Sequence, residues 1–273
     1  MNWKARLGYI PGYHRGAYHV VQRKLFGTRR LSRQVEFRVM KPWLAASKGR
    51  VLDLACGDGD FSWPLALEGH PVVGVDLDRA ALARAAAIAP RFQRVSLVAG
   101  NAQSLPFADA TFDTVLSNSA FEHFNDDERA FAEVARVLRP GGRFVLTVDS
   151  APARLTVLAR LLPHRWLRPE IGVGVSRSEA ARRHHRERHH VVRYYSTKEL
   201  SRKLDAAGFD VLSSRSYLAG AVPRFLYEAH VLLKALDFYN NLSLRLYPLF
   251  HVLSWLDRAD RPGYGLALLA TRR

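Results

Sequence analysis

The chain is poor in cysteine: one, Cys56, stands in 273 residues. That excludes an internal disulfide and a cysteine-built zinc site. No apolar run approaches the roughly 18 residues that a membrane-spanning helix needs, so none is expected. The N-terminal stretch MNWKARLGYIPGYHRG has no apolar segment of the kind that marks a signal peptide. These absences together suggest a cytoplasmic protein. Acidic residues are also scarce, 25 against 41 lysines and arginines, and their distribution is uneven. Residues 1–50 hold 12 basic side chains and one acidic. Residues 51–150 hold 8 basic and 14 acidic, and residues 151–273 hold 21 and 10. An acidic middle is therefore flanked by two basic segments. Such surfaces attract nucleic acid, anionic headgroups or acidic substrates, or are simply well solvated.

Hydrophobic residues make up 48% of the chain, enough for a full core. Between about 50 and 150, short apolar runs alternate with helical patterns. RVLDLAC, PVVGVD, RVSLVAG, FDTVLSNS and RFVLTVDS read as strands. DFSWPLALEGH, DRAALARAAAIA with an aspartate cap, and DDERAFAEVARVLRPGG, stopping at Pro140-Gly141-Gly142, read as helices. This alternation predicts a parallel sheet covered by helices on both faces, with strands buried on both sides. After 150 the regularity breaks. Residues 151–195 are basic and carry a histidine cluster. STKELSRKLDAAGF then predicts a capped helix ended by Gly208, DVLSSRSYL a strand, and YGLALLATRR a last strand. Between these, Phe225, Ala229, Leu232, Leu236 and Tyr239 share one helical face.

The turn ACGDGDF leaves the first strand where doubly wound sheets bind their ligands. Gly57 and Gly59 permit tight turns and close approach of a ligand. The second strand ends in Asp76, placed to accept both hydroxyls of a ribose. A dinucleotide or an adenosyl ligand would suit that much. A dinucleotide fingerprint, however, wants a third glycine where Ser62 stands, and Asp53, Asp58 and Asp60 make the loop acidic. A pyrophosphate would be repelled there, whereas a sulfonium with an aminocarboxyl tail would not. The ligand implied is S-adenosyl-L-methionine.

Four blocks in order strengthen this: VLDLACGDGDFS, VVGVDLDRAAL, VAGNAQSLPFADATFDTVLSNSAFEHF and EVARVLRPGGRFVLTV. A fifth, weaker one is HHVVRYYSTKELSRKLDAAGF. Over roughly residues 50–210 the chain resembles the class I S-adenosylmethionine-dependent methyltransferases of the quinone-biosynthesis-like subgroup. The resemblance implies an α/β, doubly wound, Rossmann-like, mostly parallel seven-stranded sheet with an antiparallel last strand and helical lid insertions. It also implies roles. Asp53, Ala55 and Gly57, with Asp58 and Gly59 in the same loop, would line the methionine part of the cofactor. Asp76 would hold the ribose, and Leu77 would lie against the adenine. Asn101, where the family usually has aspartate, would accept from the adenine amine, and the backbone N–H of Ala102 would meet a ring nitrogen. Asn118 would sit near the methionine moiety. Ala55 stands where the family usually has glycine.

Methyl transfer from an activated sulfonium depends mostly on positioning. A base is needed only if the nucleophile must lose a proton, and His123, followed by Glu122, is the candidate after the fourth strand. His190 corresponds to a histidine often found before the Y-S-x-x-E-L helix in related methyltransferases, and is the second candidate. His185 and His189 in HHRERHH have ligand spacing, but the four arginines of ARRHHRERHH would repel a divalent cation, so no metal is expected. The chain has SNSA, not an N-P-P-Y-like motif of exocyclic-amine methylases, and its only thiol lies inside the loop, unlike the nucleophile of cytosine C5 methylation.

The domain reading is an N-terminal helical lid over 1–49, a core over 50–217 with a lid insertion at 151–195, a helical apolar lid over 218–262, and the last core strand at 263–273. The flanks are basic and aromatic, with Trp3, Tyr13, Trp43, Trp166, Phe225 and Trp255 among them. They favour a small or lipid-like acceptor methylated at oxygen, carbon or nitrogen. LRLYPLFHVLSWLD could lie in a bilayer surface, giving a peripheral site on the inner face of the membrane. An RNA methyltransferase, prompted by the charge, and a non-catalytic cofactor-binding protein on the same fold are the alternatives, with a nicotinamide dehydrogenase behind them.

Overall fold

The computed structural model describes residues 31–47, 49–86, 94–150, 193–217 and 265–273. In chain order these form α1 (Leu31–Ala45), β1 (Val51–Leu54), α2 (Ser62–Leu67), β2 (Val72–Asp76), α3 (Arg79–Ala86), β3 (Val95–Ala99) and β4 (Phe112–Asn118). A single 3₁₀ turn (Phe121–His123), α4 (Asp127–Val137), β5 (Leu138–Asp149), α5 (Thr197–Ala206), β6 (Phe209–Tyr217) and β7 (Gly265–Arg272) follow. The seven strands make one sheet in the order β3-β2-β1-β4-β5-β7-β6. The pairs from β3 through to β5 are parallel, and β7 runs antiparallel to both β5 and β6.

Two apolar layers hold the sheet. On one face Leu52, Leu54, Val73 and Val75 pack with Phe131, Val134 and Val137 of α4 and with Leu200 and Leu204 of α5. Phe121 stacks on Phe131 at 4.3 Å between ring centres, and Phe144 and Phe209 extend the aromatic run. On the other face Val51, Val72, Leu116, Val145 and Leu269 pack with Met40, Trp43 and Leu44 of α1 and with Leu65 of α2. Alternation along β1 therefore puts Asp53 on the face shared with Val51, among apolar neighbours. Of the segment read as an N-terminal lid, α1 is the described part, and it packs on the sheet. The helical face at residues 225–239 lies outside the described residues, as do HHRERHH and residues 244–257. No helix among the described residues is long and apolar enough to cross a membrane.

Two local expectations need correction. The helix read through Pro140 ends at Val137, because Leu138 turns to extended backbone and is buried opposite Phe112. Arg139–Gly142 then bulge before Arg143 pairs with Thr114. Strand burial on both sides holds for β1, β2, β4 and most of β5. It fails for the two edge strands: β3 has no fully buried residue, and β6 is buried only at its two ends, Phe209 and Tyr217. Both expected caps form: Asp78 Oδ1 accepts from Ala80 N at 2.8 Å, and Ser196 Oγ accepts from Glu199 N at 3.2 Å.

Candidate functional site

The strand order reverses at β1. The chain moves outward through β2 and β3, then returns to place β4 on the other side of β1. A crevice at the carboxyl ends of β1 and β4 is the consequence, and it is the ligand position of such sheets. Residues 55–59 close its floor. Ala55, Gly57 and Gly59 have φ of 58°, 53° and 79°. Cys56 N donates to Val75 O at 3.0 Å and Gly59 N to Cys56 O at 2.8 Å, so the loop is tied both to β2 and to itself. A Cβ added at Gly57 would meet nothing within 4 Å, so the loop presents bare backbone to open space there.

Alanine in the left-handed region is strained by about 1–2 kcal/mol. That exceeds the roughly 0.5–1 kcal/mol by which a glycine loosens the unfolded chain. Ala55→Gly is accordingly expected to stabilise the protein by about 0.5–1 kcal/mol, read as a higher urea midpoint at unchanged slope. A lower midpoint would show that the Ala55 methyl makes packing contacts that outweigh the strain.

Asp53 is only 2% exposed and accepts a 2.5 Å hydrogen bond from Ser62 Oγ. Burial, opposed by that hydrogen bond and aided by the charges of Asp76 and Asp60, pushes its pKa up to about 7. Ser62 occupies the place where a dinucleotide loop would have its third glycine, and it supplies the donor for this buried acid. Room for it comes from Gly74 across the way, where a Cβ would come within 2.9 Å of Cys56 Sγ and 3.2 Å of Ser62 Oγ.

Asp76, partly exposed at the end of β2, holds the loop. Its Oδ2 accepts from Gly57 N and its Oδ1 from Asp78 N, both at 2.7 Å. Its backbone carbonyl takes Gly100 N at 3.0 Å, which ties in the end of β3. Leu77, next along, is 70% exposed, a large apolar side chain standing beside an acidic loop. Asp58 turns to α3, where Arg84 binds its Oδ1 through Nε at 3.0 Å and through a terminal nitrogen at 2.8 Å. The loop is thus less acidic than its sequence, since Asp58 is paired and Asp53 is half protonated near neutrality. Asn101 is exposed, and its Oδ1 accepts from Gln103 N at 2.9 Å, closing a local turn. One lone pair of that oxygen remains for a ligand. Ala102 packs against the core beside it.

At the end of β4, Asn118 is buried and its Oδ1 accepts from Thr147 Oγ1 at 2.8 Å. Ser119 follows with φ of 45°, and its N–H is accepted by Thr147 O at 3.0 Å. Its hydroxyl lies 3.4 Å from Oε1 of Glu36, a carboxylate of α1 that is only 5% exposed. Glu122 is buried and His123 half-buried in the 3₁₀ turn that comes next. His190 lies outside the described residues. Cys56 is buried, and burial together with Asp53 and Asp76 raises its thiol pKa, so it stays protonated and is no nucleophile.

Sequence reasoning missed Glu36, Ser62, Arg84 and Thr147. Only Ser62 left a trace, as the residue that breaks the dinucleotide pattern. The others meet the site from distant elements.

A left-handed loop between buried Asp53 and strand-end Asp76, on a sheet that reverses at β1, is the arrangement of a nucleotide-binding doubly wound fold. Residues 52–146 match a family model described as a methyltransferase domain. A demethylmenaquinone methyltransferase of Tropheryma whipplei is 30% identical over 172 residues, which is 63% of this chain and 71% of the relative. One of Symbiobacterium thermophilum is 39% identical over 108 residues, 37% of this chain and 43% of the relative. The chain spans somewhat under half the length of such higher-identity relatives. The fold also matches a structure described as an S-adenosylmethionine-dependent methyltransferase from Mesorhizobium loti, with a TM-score of 0.58 at 22% identity, covering 89% of this chain and all of that one. The chain belongs to the class I S-adenosylmethionine-dependent methyltransferases, in their quinone-biosynthesis-like branch.

The residues fit that cofactor. Open space above Gly57 leaves room for the ligand to approach bare backbone. Exposed Leu77 offers an apolar surface to a flat base. Asp76 offers a partly exposed carboxylate at the end of β2, of the kind that accepts from ribose hydroxyls, and Asp53 a buried one beside the loop.

Proposed function

We propose that the protein transfers the methyl group of S-adenosyl-L-methionine to a quinone-like, lipid-soluble acceptor. The observation that carries the reading is the placement of Asp53, the 55–59 loop and Asp76 at the carboxyl ends of β1 and β2, beside the 118–123 segment that follows β4 on the other side of β1. When bound, the cofactor supplies a methyl group on a cationic sulfur, already activated. Asp53, Ala55 and Gly57 line its methionine part, with Asp58 and Gly59 completing the loop. Asp76 takes the ribose hydroxyls, Leu77 lies along the adenine, Asn101 and Ala102 meet its edge, and Asn118 stands near the methionine. His123 stands in the 3₁₀ turn that follows β4. There it would accept the proton of an acceptor hydroxyl or acidic carbon, a role suited to an imidazole near neutral pH. His190 is the second candidate for that proton.

A quinone-like acceptor is supported by the names of the relatives, all demethylmenaquinone methyltransferases among those aligned above. The basic, aromatic flanks suit it too, as lids over 1–49, 151–195 and 218–262. An acceptor of this kind partitions into bilayers. The arginine-bearing apolar stretch at 244–257 would then dock the enzyme on a membrane surface.

The test is transfer of labelled methyl from the cofactor to reduced demethylmenaquinone in detergent, beside host RNA and a total lipid extract. Label in the quinone or lipid supports the reading. Label in RNA, with retention that weakens steeply with salt, would assign the basic flanks to nucleic acid instead. Tight cofactor binding with no label in any pool would point to a binding protein that keeps the fold but not the transfer.

A further inference from the structure

The segment Arg193–Tyr195 seizes the turn that carries His123. Arg193 N donates to Glu122 O at 2.9 Å. Its guanidinium donates to Phe124 O at 2.7 Å and to Asn125 O at 2.8 Å, and approaches Asp127 Oδ1 at 3.4 Å. Tyr195 N donates to Asp149 O at 3.0 Å, anchoring the segment to the end of β5. The Tyr195 hydroxyl donates to Asp127 Oδ2 at 2.7 Å, with Phe121 O 3.2 Å away. Tyr195 is fully buried and Asp127 is 3% exposed. Lys203 Nζ completes the set at 3.1 Å from Asp127 Oδ1 and 3.0 Å from Glu128 Oε1.

The turn needs such a clamp. It is a single 3₁₀ turn of three residues, held internally by His123 N to Ala120 O and Phe124 N to Phe121 O. One turn of this kind is marginal by itself. The carbonyls at 122, 124 and 125 accept from Arg193, whose guanidinium fork satisfies the last two at once as a lysine cannot.

We propose that Arg193 and Tyr195 are positioning residues that fix the 121–125 turn, and with it His123, against the cofactor crevice. They act through Asp127 and the turn's carbonyls without touching the cofactor loop. The proposal rests on the methyl-transfer reading for its purpose, but its geometry can be tested without an acceptor.

The experiment is hydrogen–deuterium exchange on the full chain, with calorimetric titration of S-adenosyl-L-methionine alongside. In Arg193→Ala, amides of residues 119–126 are expected to exchange at least about tenfold faster. Amides of 51–57 and 72–78 should be unchanged, and cofactor affinity should stay within about threefold. Arg193→Lys should restore little, because it keeps a charge near Asp127 but cannot bridge two carbonyls. Tyr195→Phe should move the same amides by less. In the transfer assay these variants should lose turnover while keeping cofactor affinity. Unchanged exchange at 119–126 in Arg193→Ala overturns the proposal whatever the protein methylates. So does acceleration spread equally over 51–57 and 72–78, which would make the strap a general stabiliser. Faster exchange confined to the turn, with no transfer to any tested acceptor even by the parent chain, supports the strap and faults only the acceptor assignment.

Discussion

Replacing Asp76 by alanine should weaken S-adenosyl-L-methionine binding by at least about a hundredfold. Each hydrogen bond to a charged group is worth about 1.5–3 kcal/mol. The substitution removes the carboxylate proposed to accept both ribose hydroxyls, and it also frees Gly57 N and Asp78 N, which that carboxylate holds in the unliganded chain. A loss of about 3–6 kcal/mol corresponds to roughly two to four decades in affinity. The loop should also loosen, since Gly57 at φ 53° is held by that carboxylate. Asp76→Asn should fall between the two, because its amide has one accepting oxygen where the structure uses two. Titration calorimetry on the three proteins decides it. An alanine variant that binds within a few-fold of the parent would place the cofactor somewhere other than the β1–β2 loop.

Cofactor affinity should fall about tenfold for each pH unit below 7, and the dependence should vanish in Asp53→Asn. The folded pKa of Asp53, about 7, lies above its ordinary value of 3.8. Between those values the folded chain holds a proton that the unfolded chain has released. This group therefore stabilises the empty protein at low pH, and that contribution, of order 4 kcal/mol at most, is lost as the pH rises through about 7. A cationic ligand beside Asp53 favours its ionised form, so binding below pH 7 must expel a proton. Calorimetry at pH 6 in buffers of different ionisation enthalpy should show close to one proton released per cofactor bound, and none for Asp53→Asn. A flat affinity from pH 5 to 8 would mean that the acid stays protonated, held by Ser62, and takes no part in binding the positive charge.

Much of the fold was legible because its signals are local. The apolar runs, the Gly-rich turn, Asp76 at a strand end and the caps Asp78 and Ser196 all act within a few residues of themselves. The helix boundary at Val137 was not legible, because burial of Leu138 opposite Phe112 outweighs the stop signal at Pro140. The two exposed edges were hidden for a related reason: which strand lies outermost depends on the order of the whole sheet. In the site, residue types were readable but their engagements were not. Asp58 looked like part of an acidic cradle, yet it is bound by Arg84, 26 positions away. Asn101 was expected to face the adenine, and its oxygen already serves Gln103. The strap joins residues 46 to 74 positions apart, so no spacing rule announces it.

The place of β7 in the sheet bears on how the chain is made. β6 ends at Tyr217, but its neighbour β7 does not begin until Gly265, and it is β7 that lies between β5 and β6 in the sheet. On a translating ribosome, several seconds pass at ordinary elongation rates between the emergence of β6 and that of β7. During that interval β6 has no strand to pair with, and β5 presents an open edge with Val145 and Leu146 beside it. Unpaired edges of this sort invite association between nascent chains. Early release or slow elongation after residue 217 should therefore send more of the product into aggregates than the same delay before β5. Of the described strands β7 is the last to be made, and its place is between two made before it.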